Sequence, residues 1–430
     1  MRAERLGALG TAHDVLRAVE AGARRAGLPG PAALIGDWFG SAAVIAPSVA
    51  VVPVDPADVF AAPSGPGGDV IGGGWIGYLS YPDPGADDAT GRIPDAAGGW
   101  TDSVLRLDRS GCWWYESLSG ATLPDWLESA LRQPATVGRC EIDWRPPDPL
   151  QHRNGVQACL EAIRAGEVYQ ACVCTQFTGT ATGSALDFFA DAVERTTPAR
   201  AAFVAGDWGA VASLSPELFL RRAGTEVSSS PIKGTLPIHA DPADLRASDK
   251  DIAENIMIVD LVRNDLGHVA VTGSVTVAEL LAVHPAPGVW HLVSTVAAEV
   301  PTDLPMSALL NAAFPPASVT GTPKGRAREL ISGWERHRRG IYCGTVGMAS
   351  PVAGCELNVA IRTVEFDAHG NAVLGVGGGI TADSDPAAEW QECLDKAAAI
   401  VNRHAVSSSE SSSPESLRSC PTDRARNTAS

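Results

Sequence analysis

The sequence predicts a globular protein that contains both helices and strands, of either the α/β or the α+β class. The chain of 430 residues is 45% hydrophobic, which is enough to fill a large core. Its 44 glycines and 31 prolines stay below the share that marks a low-complexity chain. Helix-like and strand-like segments alternate from residue 150 to residue 406. These observations exclude a fibrous or wholly disordered protein.

The first region, residues 1–145, is rich in Ala, Gly, Pro and Trp and ends before Pro146 and Pro147. Consecutive prolines continue neither a helix nor a central strand, so they separate this region from the next. A helix is expected over residues 1–27. Short apolar strands are expected after it, at residues 44–45, 51–54, 75–81 and 104–107.

The second region, residues 150–406, contains two helices with acidic faces. The first is expected over residues 248–267, and the second begins at Asp385 and Pro386, an N-cap followed by a proline at the first helical position. Residues 407–430 form a Ser-rich tail with almost no large apolar side chains. This tail is expected to be disordered.

Each of these two helices carries a pair of carboxylates three residues apart, which places both members on one face. The pairs are Asp251 with Glu254 and Glu389 with Glu392, and Lys396 follows four residues later. Four carboxylates brought face to face form a hard-oxygen site that suits Mg²⁺. The alternative is two solvated acidic faces, since Asp and Glu are common on helices.

Composition also limits the class of partner and the compartment. The formal charge of −17 argues against binding to nucleic acid and against a polybasic membrane anchor. No signal-peptide pattern and no membrane-spanning apolar stretch are visible. Nine scattered cysteines without a CxxC pair favour reduced thiols, with Cys172 and Cys174 expected to be buried. A cytoplasmic protein is therefore expected.

Lysine is rare, and the chain has only Lys233, Lys250, Lys324 and Lys396. Lys233 lies in SSSPIKGTLP, which predicts a loop, and is either solvated or a nucleophilic amine. At a pKa of about 10.4, roughly one amine in 2500 is neutral at pH 7, so a nucleophile needs burial or a nearby cation. Lys250 is interpreted as incidental.

Glu217 in SPELF is an acid among apolar residues, and partial burial would keep it protonated as a general acid. Tyr342 and Arg362 fall in strand-like runs, where an arginine needs a partner such as a carboxylate. His291 is either a functional group or a satisfied core histidine. The glycine-rich segment GVGGGIT is expected to let backbone N–H groups approach an anion.

Several ordered motifs together resemble those of the chorismate-utilising enzymes. They are SPELF, PIKGT, DIAENIMIVDLVRNDLG, VWHLVSTV, PASVTGTPKGRARELI, RGIYCGTVGM, LNVAIRT, GGGIT and EWQECLDKA, which span about residues 150–400. The resemblance implies an α+β fold in which two large antiparallel sheets pack as a sandwich with helices on the outside. It also implies that the first 145 residues contribute to the same body.

Within this family the chain is most similar to component I of aminodeoxychorismate synthase. Anthranilate synthases have Ala where this chain has Lys233, and isochorismate synthases have a water-activating Lys where it has Gln170. The resemblance implies that Lys233 attacks C2 of chorismate and that Glu217 protonates the leaving 4-hydroxyl. Ammonia then attacks C4, and Lys233 leaves from C2. The expected product is 4-amino-4-deoxychorismate for p-aminobenzoate and folate-type biosynthesis.

The resemblance also implies the roles of the remaining site residues. Mg²⁺ is the expected cofactor, with Glu254 and Glu392 as direct ligands and Asp251 and Glu389 as direct or water-mediated ones. Substrate binding is expected from Gly234, Thr235, Tyr342, Arg362, Gly377, Gly379, Lys396 and Gln170, with His291 as a further catalytic candidate.

The expected partner is a separate glutaminase subunit that supplies ammonia, because none of the nine cysteines lies in a glycine-rich nucleophile turn. Two alternatives stay open. One is component I of anthranilate synthase, and the other is a non-catalytic subunit that binds chorismate or tryptophan. Strong inhibition by tryptophan is not expected, since the N-terminal region lacks an LLES-like segment.

Overall fold

The computed structural model describes residues 1–63, 65–83, 91–134 and 137–401, so the predicted tail at 407–430 lies outside the described residues. Its strands are β1 Arg2–Gly7, β2 Ala32–Trp38, β3 Ser41–Ala46, β4 Val52–Pro53, β5 Gly74–Leu79, β6 Ala96–Thr101, β7 Ser103–Leu107, β8 Trp113–Ser117, β9 Cys140–Arg145, β10 Gln170–Gly183, β11 Arg200–Gly206, β12 Gly209–Ser215, β13 Leu218–Ala223, β14 Glu226–Ser230, β15 Ile232–Pro237, β16 Thr276–Ala286, β17 Val289–Glu299, β18 Gly321–Thr322, β19 Thr345–Ser350, β20 Gly354–Asn358, β21 Thr363–Asp367 and β22 Asn371–Ile380. Its helices are α1 Ala12–Arg25, α2 Asp125–Leu131, α3 Pro149–Arg164, α4 Ala185–Thr196, α5 Ala243–Ala247, α6 Asp249–Gly267, α7 Met306–Ala313, α8 Lys324–Trp334 and α9 Pro386–Val401.

These strands form two antiparallel sheets. The large sheet has the order β1-β8-β7-β3-β2-β11-β12-β21-β22-β10-β18, with β9 also paired to β10. The smaller sheet has the order β15-β17-β14-β13-β20-β19-β5-β6-β4, with β16 also paired to β17. Strands from the first 145 residues belong to both sheets. The predicted α+β class with two large antiparallel sheets is confirmed.

The two sheets pack against each other, and β2 shows how. Alternate residues of a strand point to opposite faces. Ala32 and Leu34 belong to the apolar cluster that the large sheet shares with Ile76 of the smaller sheet. Ala33 and Ile35 belong to a second cluster, formed with α1, α4 and α9 on the outer face. The large sheet is therefore covered by the second sheet on one side and by helices on the other.

Helices also cover the outer face of the smaller sheet. Ile258 of α6 and Leu309 of α7 lie in one cluster with Leu357 of β20. On the large sheet, a separate cluster joins α3 and α8 to β10 through residues such as Val156 and Ile331. Helix α6 thus lies against the smaller sheet and α9 against the large sheet, which brings the two acidic helices toward the same end of the sandwich.

The expected helix over residues 1–27 is wrong in its first half, because β1 occupies Arg2–Gly7. Gly7 and Gly10 have φ values of +84° and +112°, which interrupt the chain before the helix. Thr11 then caps α1 by accepting a hydrogen bond from the backbone N–H of Asp14. The partner of β1 is β8, which lies far along the chain, so no local pattern could predict the strand.

Both predicted acidic helices are present. The Ser248 side chain caps α6, and the Asp385 Oδ1 atom accepts from the backbone N–H groups of Ala387 and Ala388 at the start of α9. Cys172 and Cys174 are buried thiols that form no disulfide, as are the other cysteines of the described residues. None of the helices in the described ranges is both long enough and apolar enough to cross a membrane.

Candidate active site

A cavity of about 480 Å³ lies where β10 and β22 of the large sheet approach β15, β17, α6 and α9. This volume is in the range of small-molecule sites. The predicted site residues that line it are Glu217, Lys233, Gly234, Thr235, Asp251, Glu254, His291, Tyr342, Arg362, Gly377, Gly379, Glu392 and Lys396. The fold therefore brings together residues that are spread over most of the second region. Gln170 and Glu389 are the two predicted residues outside this lining.

Glu217 follows the end of β12, and its side chain is only 4% exposed. Its backbone N–H donates to the Ser215 hydroxyl at 3.1 Å. Burial raises the pKa of the Glu217 carboxyl, although a hydrogen bond from Ser318 and the charges of Lys233 and Arg362 oppose this effect. A carboxyl with a raised pKa keeps its proton to a higher pH, so Glu217 can act as a proton donor.

Lys233 lies on β15, so the loop predicted from PIKGT is wrong. The register of β15 against β17 shifts between Ile232 and Thr235, as it does at a β-bulge. Gly234 has a φ of +83°, which glycine adopts at low cost. The glycine that suggested a loop marks this irregularity within a strand. The Lys233 side chain lines the cavity, where its Nζ donates to the Ser318 carbonyl at 3.4 Å.

The acidic residues predicted to bind metal lie on α6 and α9, and the side chain of Lys250 on α6 reaches toward α9. The Lys250 Nζ lies 4.0 Å from Glu254 Oε1 and 3.8 Å from Glu389 Oε1. Glu389 is 5% exposed and its Oε1 accepts a hydrogen bond from the Ser384 hydroxyl at 2.7 Å. Glu389 is therefore buried next to Lys250, at the edge of the cavity lining. Burial raises the pKa of the Glu254 carboxyl despite the nearby lysine charges.

Glu392 is paired with Lys396 at the wall formed by β22. The Lys396 Nζ lies 2.7 Å from Glu392 Oε1 and donates to the Gly377 carbonyl at 2.8 Å. Burial acts to raise the pKa of the Glu392 carboxyl, but the ion pair with Lys396 and the charges of other lysines outweigh it and the pKa is lowered. The protein itself therefore favours the ionised form of Glu392.

The donor set suits Mg²⁺, because carboxylate oxygens are the ligands that this cation prefers. Within the described residues, no three His, Cys, Asp or Glu side chains meet closely enough to hold a metal ion. The ammonium group of Lys250 instead lies near both Glu254 and Glu389. The residues fit Mg²⁺ in their chemistry, and gathering them around a metal requires the Lys250 side chain to move away.

Tyr342 and Arg362 were predicted in strands, and both lie outside them. Tyr342 lies in the turn that precedes β19, where its N–H donates to the Arg339 carbonyl at 3.2 Å. Arg362 lies between β20 and β21 with a φ of +51°, and its carbonyl accepts from the N–H of Leu214 at 3.0 Å. Burial lowers the pKa of the Arg362 guanidinium, and the charge of Glu217 opposes this. Apolar neighbours made both segments resemble strands.

His291 lies on β17, opposite Thr235 of β15, and is 5% exposed. Its Nδ1 lies 2.9 Å from the Thr235 hydroxyl. Burial, together with the charge of Arg362, lowers the pKa of the imidazole to about 4. His291 is therefore neutral at pH 7 and forms part of the cavity wall. His291 is thus both a buried histidine with a hydrogen-bond partner and a residue of the site.

The glycines of β22 allow side chains to pack directly on the strand. A Cβ atom at Gly375 would lie 2.2 Å from Tyr342 Cγ, so the aromatic ring rests on this glycine. A Cβ at Gly379 would lie 3.1 Å from Gln170 Oε1 and 3.5 Å from Lys233 Nζ. Gln170 is 2% exposed and lies outside the lining, on the same side of Gly379 as the Lys233 amine, so its role as a substrate-binding residue stays a prediction.

Sequence reasoning missed two residues of this site. Lys250 lines the cavity and is not incidental, and its spacing of four residues from Glu254 was a usable signal. Ser318 contacts both Lys233 and Glu217, and its carbonyl gave no signal because backbone atoms are common to every residue. Cys172 and Cys174 also contribute to the lining.

The pattern of one protein family, described as chorismate binding enzyme, matches residues 60–402. The chain belongs to the chorismate-binding enzyme family. It is 40% identical to aminodeoxychorismate synthase component 1 of Escherichia coli K12 over 65% of this chain and 63% of the relative. It is 38% identical to the protein of that name from Klebsiella aerogenes, over 74% of this chain and 73% of the relative. It is also 32% identical to anthranilate synthase component 1 of Arthrobacter globiformis, over 77% and 63%.

Solved structures agree with the fold. Anthranilate synthase component I from Streptococcus pneumoniae superposes with a TM-score of 0.69 at 26% identity, covering 87% of this chain and 90% of that one. The menaquinone-specific isochorismate synthase of Escherichia coli has a TM-score of 0.67 at 18% identity, covering 93% and 94%. The second likeness shows a shared fold alone.

Proposed function

We propose that this chain aminates chorismate at C4 with ammonia and produces 4-amino-4-deoxychorismate. The observation that carries the proposal is the position of Lys233, whose amine lies in the cavity and contacts the same residue, Ser318, as the buried acid Glu217. The similarity to aminodeoxychorismate synthase component 1 over most of the chain supports it. The product class suits p-aminobenzoate and folate-type biosynthesis.

In the first half-reaction the Lys233 Nζ forms a bond to C2 of chorismate. The C1=C2 double bond moves to C1=C6, the C5=C6 double bond moves to C4=C5, and the C4–O bond breaks. Glu217 gives its proton to the departing 4-hydroxyl, which leaves as water, and the proton that the lysine nitrogen loses returns to the Glu217 carboxylate. The raised pKa of Glu217 suits this donor role.

In the second half-reaction ammonia forms a bond to C4, the two double bonds return to their original places and the C2–N bond to Lys233 breaks. The lysine amine recovers a proton as it leaves, and the enzyme returns to its starting state. The net change replaces the 4-hydroxyl by an amine and releases one water. Two displacements at the same ring system explain why a covalent nucleophile is useful here.

The substrate is a dianion, and the cavity supplies separate positive groups for its two carboxylates. Arg362 and Tyr342 are proposed to bind the enolpyruvyl carboxylate. Mg²⁺ held by Glu254 and Glu392, with Asp251 and Glu389 acting directly or through water, would neutralise the ring carboxylate. Backbone groups at Gly234, Thr235, Gly377 and Gly379 are proposed to line the anion, and Lys396 to offset the charge of the carboxylate group.

We also propose that a separate glutaminase subunit delivers the ammonia. The relatives are named component 1, which supports the existence of a second component for those proteins. The chain alone should use ammonium salts but not glutamine. Turnover with glutamine by the purified chain alone would contradict this proposal.

One experiment tests the reaction. The purified chain is incubated with chorismate, Mg²⁺ and ammonium at mildly alkaline pH, and the products are separated and identified by mass. We expect 4-amino-4-deoxychorismate from the native chain. Loss of activity should be similar in Lys233→Ala and Lys233→Arg, because arginine keeps the charge but offers no neutral amine. Substantial activity in the arginine variant would indicate a purely electrostatic role.

The second candidate function is anthranilate synthesis, which the similarity to anthranilate synthase component 1 favours. It predicts 2-aminobenzoate as the product and activity that survives in Lys233→Ala. The same product analysis separates the two reactions. A third outcome, chorismate binding without turnover even when a glutaminase subunit is added, would indicate a non-catalytic partner subunit.

A further inference from the structure

Lys324, at the start of α8, is buried outside the cavity lining, and its ammonium group makes three hydrogen bonds. The Nζ donates to Asp265 Oδ2 at 2.6 Å, to the Ala313 carbonyl at 3.1 Å and to the Pro315 carbonyl at 3.0 Å. An ammonium group has three N–H donors, so each has one acceptor. The side chains of Lys324 and Asp265 are 16% and 8% exposed. Such a group connects α6, α7 and α8 at one point.

The segment that begins at these two carbonyls leads directly to the active site. We name residues 314–320 the Ser318 loop. The Ser318 carbonyl accepts from Lys233 Nζ at 3.4 Å, and its side chain hydrogen-bonds Glu217. Lys324 fixes the start of this loop, and Arg339 donates to the Val319 carbonyl near its end at 2.8 Å. One short loop therefore contacts both groups of the proposed chemistry and is held at its two ends.

We propose that Lys324 and Asp265 are positioning residues that set the place of the Ser318 loop, and through it the relative positions of the Lys233 amine and the Glu217 carboxyl. This inference rests on the proposed function. Neither residue lies in the lining of the substrate cavity. Removing the ion pair between Lys324 and Asp265 should therefore reduce the rate of the chemical step and leave chorismate binding nearly unchanged.

A single substitution is a poor test, because removing one member of a buried ion pair leaves the other charge uncompensated and can unfold the protein. The double variant Lys324→Met/Asp265→Asn removes both charges and keeps similar side-chain volumes. A matched control is Arg106→Met/Glu116→Gln, which removes a buried arginine–glutamate pair between β7 and β8, outside the cavity lining. Thermal unfolding of both variants identifies any general loss of stability.

The first readout is steady-state and single-turnover kinetics with chorismate. A displacement of about 1 Å can reduce a rate by about 100-fold, so we expect kcat to fall by about that factor in the Lys324 variant. We expect KM to change by less than about threefold, and the control variant to retain the native kcat. A native kcat in a folded Lys324 variant, or a loss carried entirely by KM, would overturn the proposal.

The second readout does not depend on turnover. An amine-reactive acylating reagent is applied, and the modified peptide that contains Lys233 is quantified by mass spectrometry over time. Because the Ser318 carbonyl holds this amine, we expect Lys233 to react several-fold faster in the Lys324 variant than in the native chain and in the control. An unchanged acylation rate of Lys233 would refute the proposal that Lys324 and Asp265 set the position of the Ser318 loop. If the native chain makes anthranilate, the proposed function is refuted instead. The acylation rates of Lys233 in the variant and in the native chain still test the role of Lys324, because this measurement needs no turnover.

Discussion

Replacing Glu217 by Gln removes the proposed proton donor and should affect both rate and stability. General acid catalysis contributes typically 10²–10⁴-fold to a rate, so we expect kcat to fall by about 10²-fold or more. The amide is almost the same size as the carboxyl, which matters because the side chain is only 4% exposed. Glu299→Gln, on the exposed end of β17, is the matched control and should behave as the native chain.

Stability should change in the opposite direction. Burial raises the pKa of folded Glu217 above its unfolded value of 4.5. The contribution of this group to stability is therefore fully present below pH 4.5 and is lost as pH rises through the folded pKa. Each pKa unit of increase corresponds to about 1.4 kcal/mol. At pH 7, Glu217→Gln should unfold at a higher temperature than the native chain, and this gain should shrink in acid.

The assay is the pH dependence of kcat with saturating chorismate and ammonium, together with thermal unfolding at several pH values. The native rate should fall as pH rises through the raised pKa of Glu217, because the donor loses its proton. This alkaline limb should be absent from the residual activity of Glu217→Gln. A variant with native kcat and the native pH profile would refute the assignment of Glu217 as the acid.

Three further predictions concern other groups of the cavity. Lys250→Met should bind Mg²⁺ more tightly in calorimetry, because the competing ammonium near Glu254 is removed; weaker binding would show that Lys250 assists the metal site. The pKa of His291 is lowered to about 4, so this imidazole should not titrate near pH 6.5. The pH profiles of kcat/KM for the native chain and for His291→Gln should therefore agree near that pH, and a limb near 6.5 that the variant lacks would contradict this. Gly375→Ala should lower the unfolding temperature, since its Cβ would lie 2.2 Å from the Tyr342 ring, and an unchanged value would show that the ring can move freely.

Local sequence patterns were sufficient for part of this structure. Asp385 and Pro386 correctly marked the start of α9, and the spacing of Asp251 and Glu254 correctly placed both on α6. These features depend on neighbours within one helical turn. The motifs that resemble the chorismate-utilising enzymes then predicted the two-sheet fold, which no periodicity in the sequence could supply.

The errors arose where a distant partner decides the conformation. Lys233 lies on a strand because β17 supplies the hydrogen bonds, although the glycine beside it suggested a loop. Arg362 leaves the strand pattern at a left-handed position that its apolar neighbours do not indicate. Ser318 acts on Lys233 through a carbonyl oxygen, which leaves no trace in the sequence. Gln170 is buried beside Gly379 on the same side as the Lys233 amine, and this neighbour comes from strand pairing between distant segments.

The most direct test of the central claim is to trap the covalent bond to Lys233. The native chain is mixed with chorismate and Mg²⁺ without ammonia, quenched and digested, and the peptide that contains Lys233 is analysed by mass spectrometry. We predict that this peptide gains the mass of chorismate less one water, and that adding ammonium before the quench releases 4-amino-4-deoxychorismate. An unmodified Lys233 peptide in a chain that still forms this product would contradict the account.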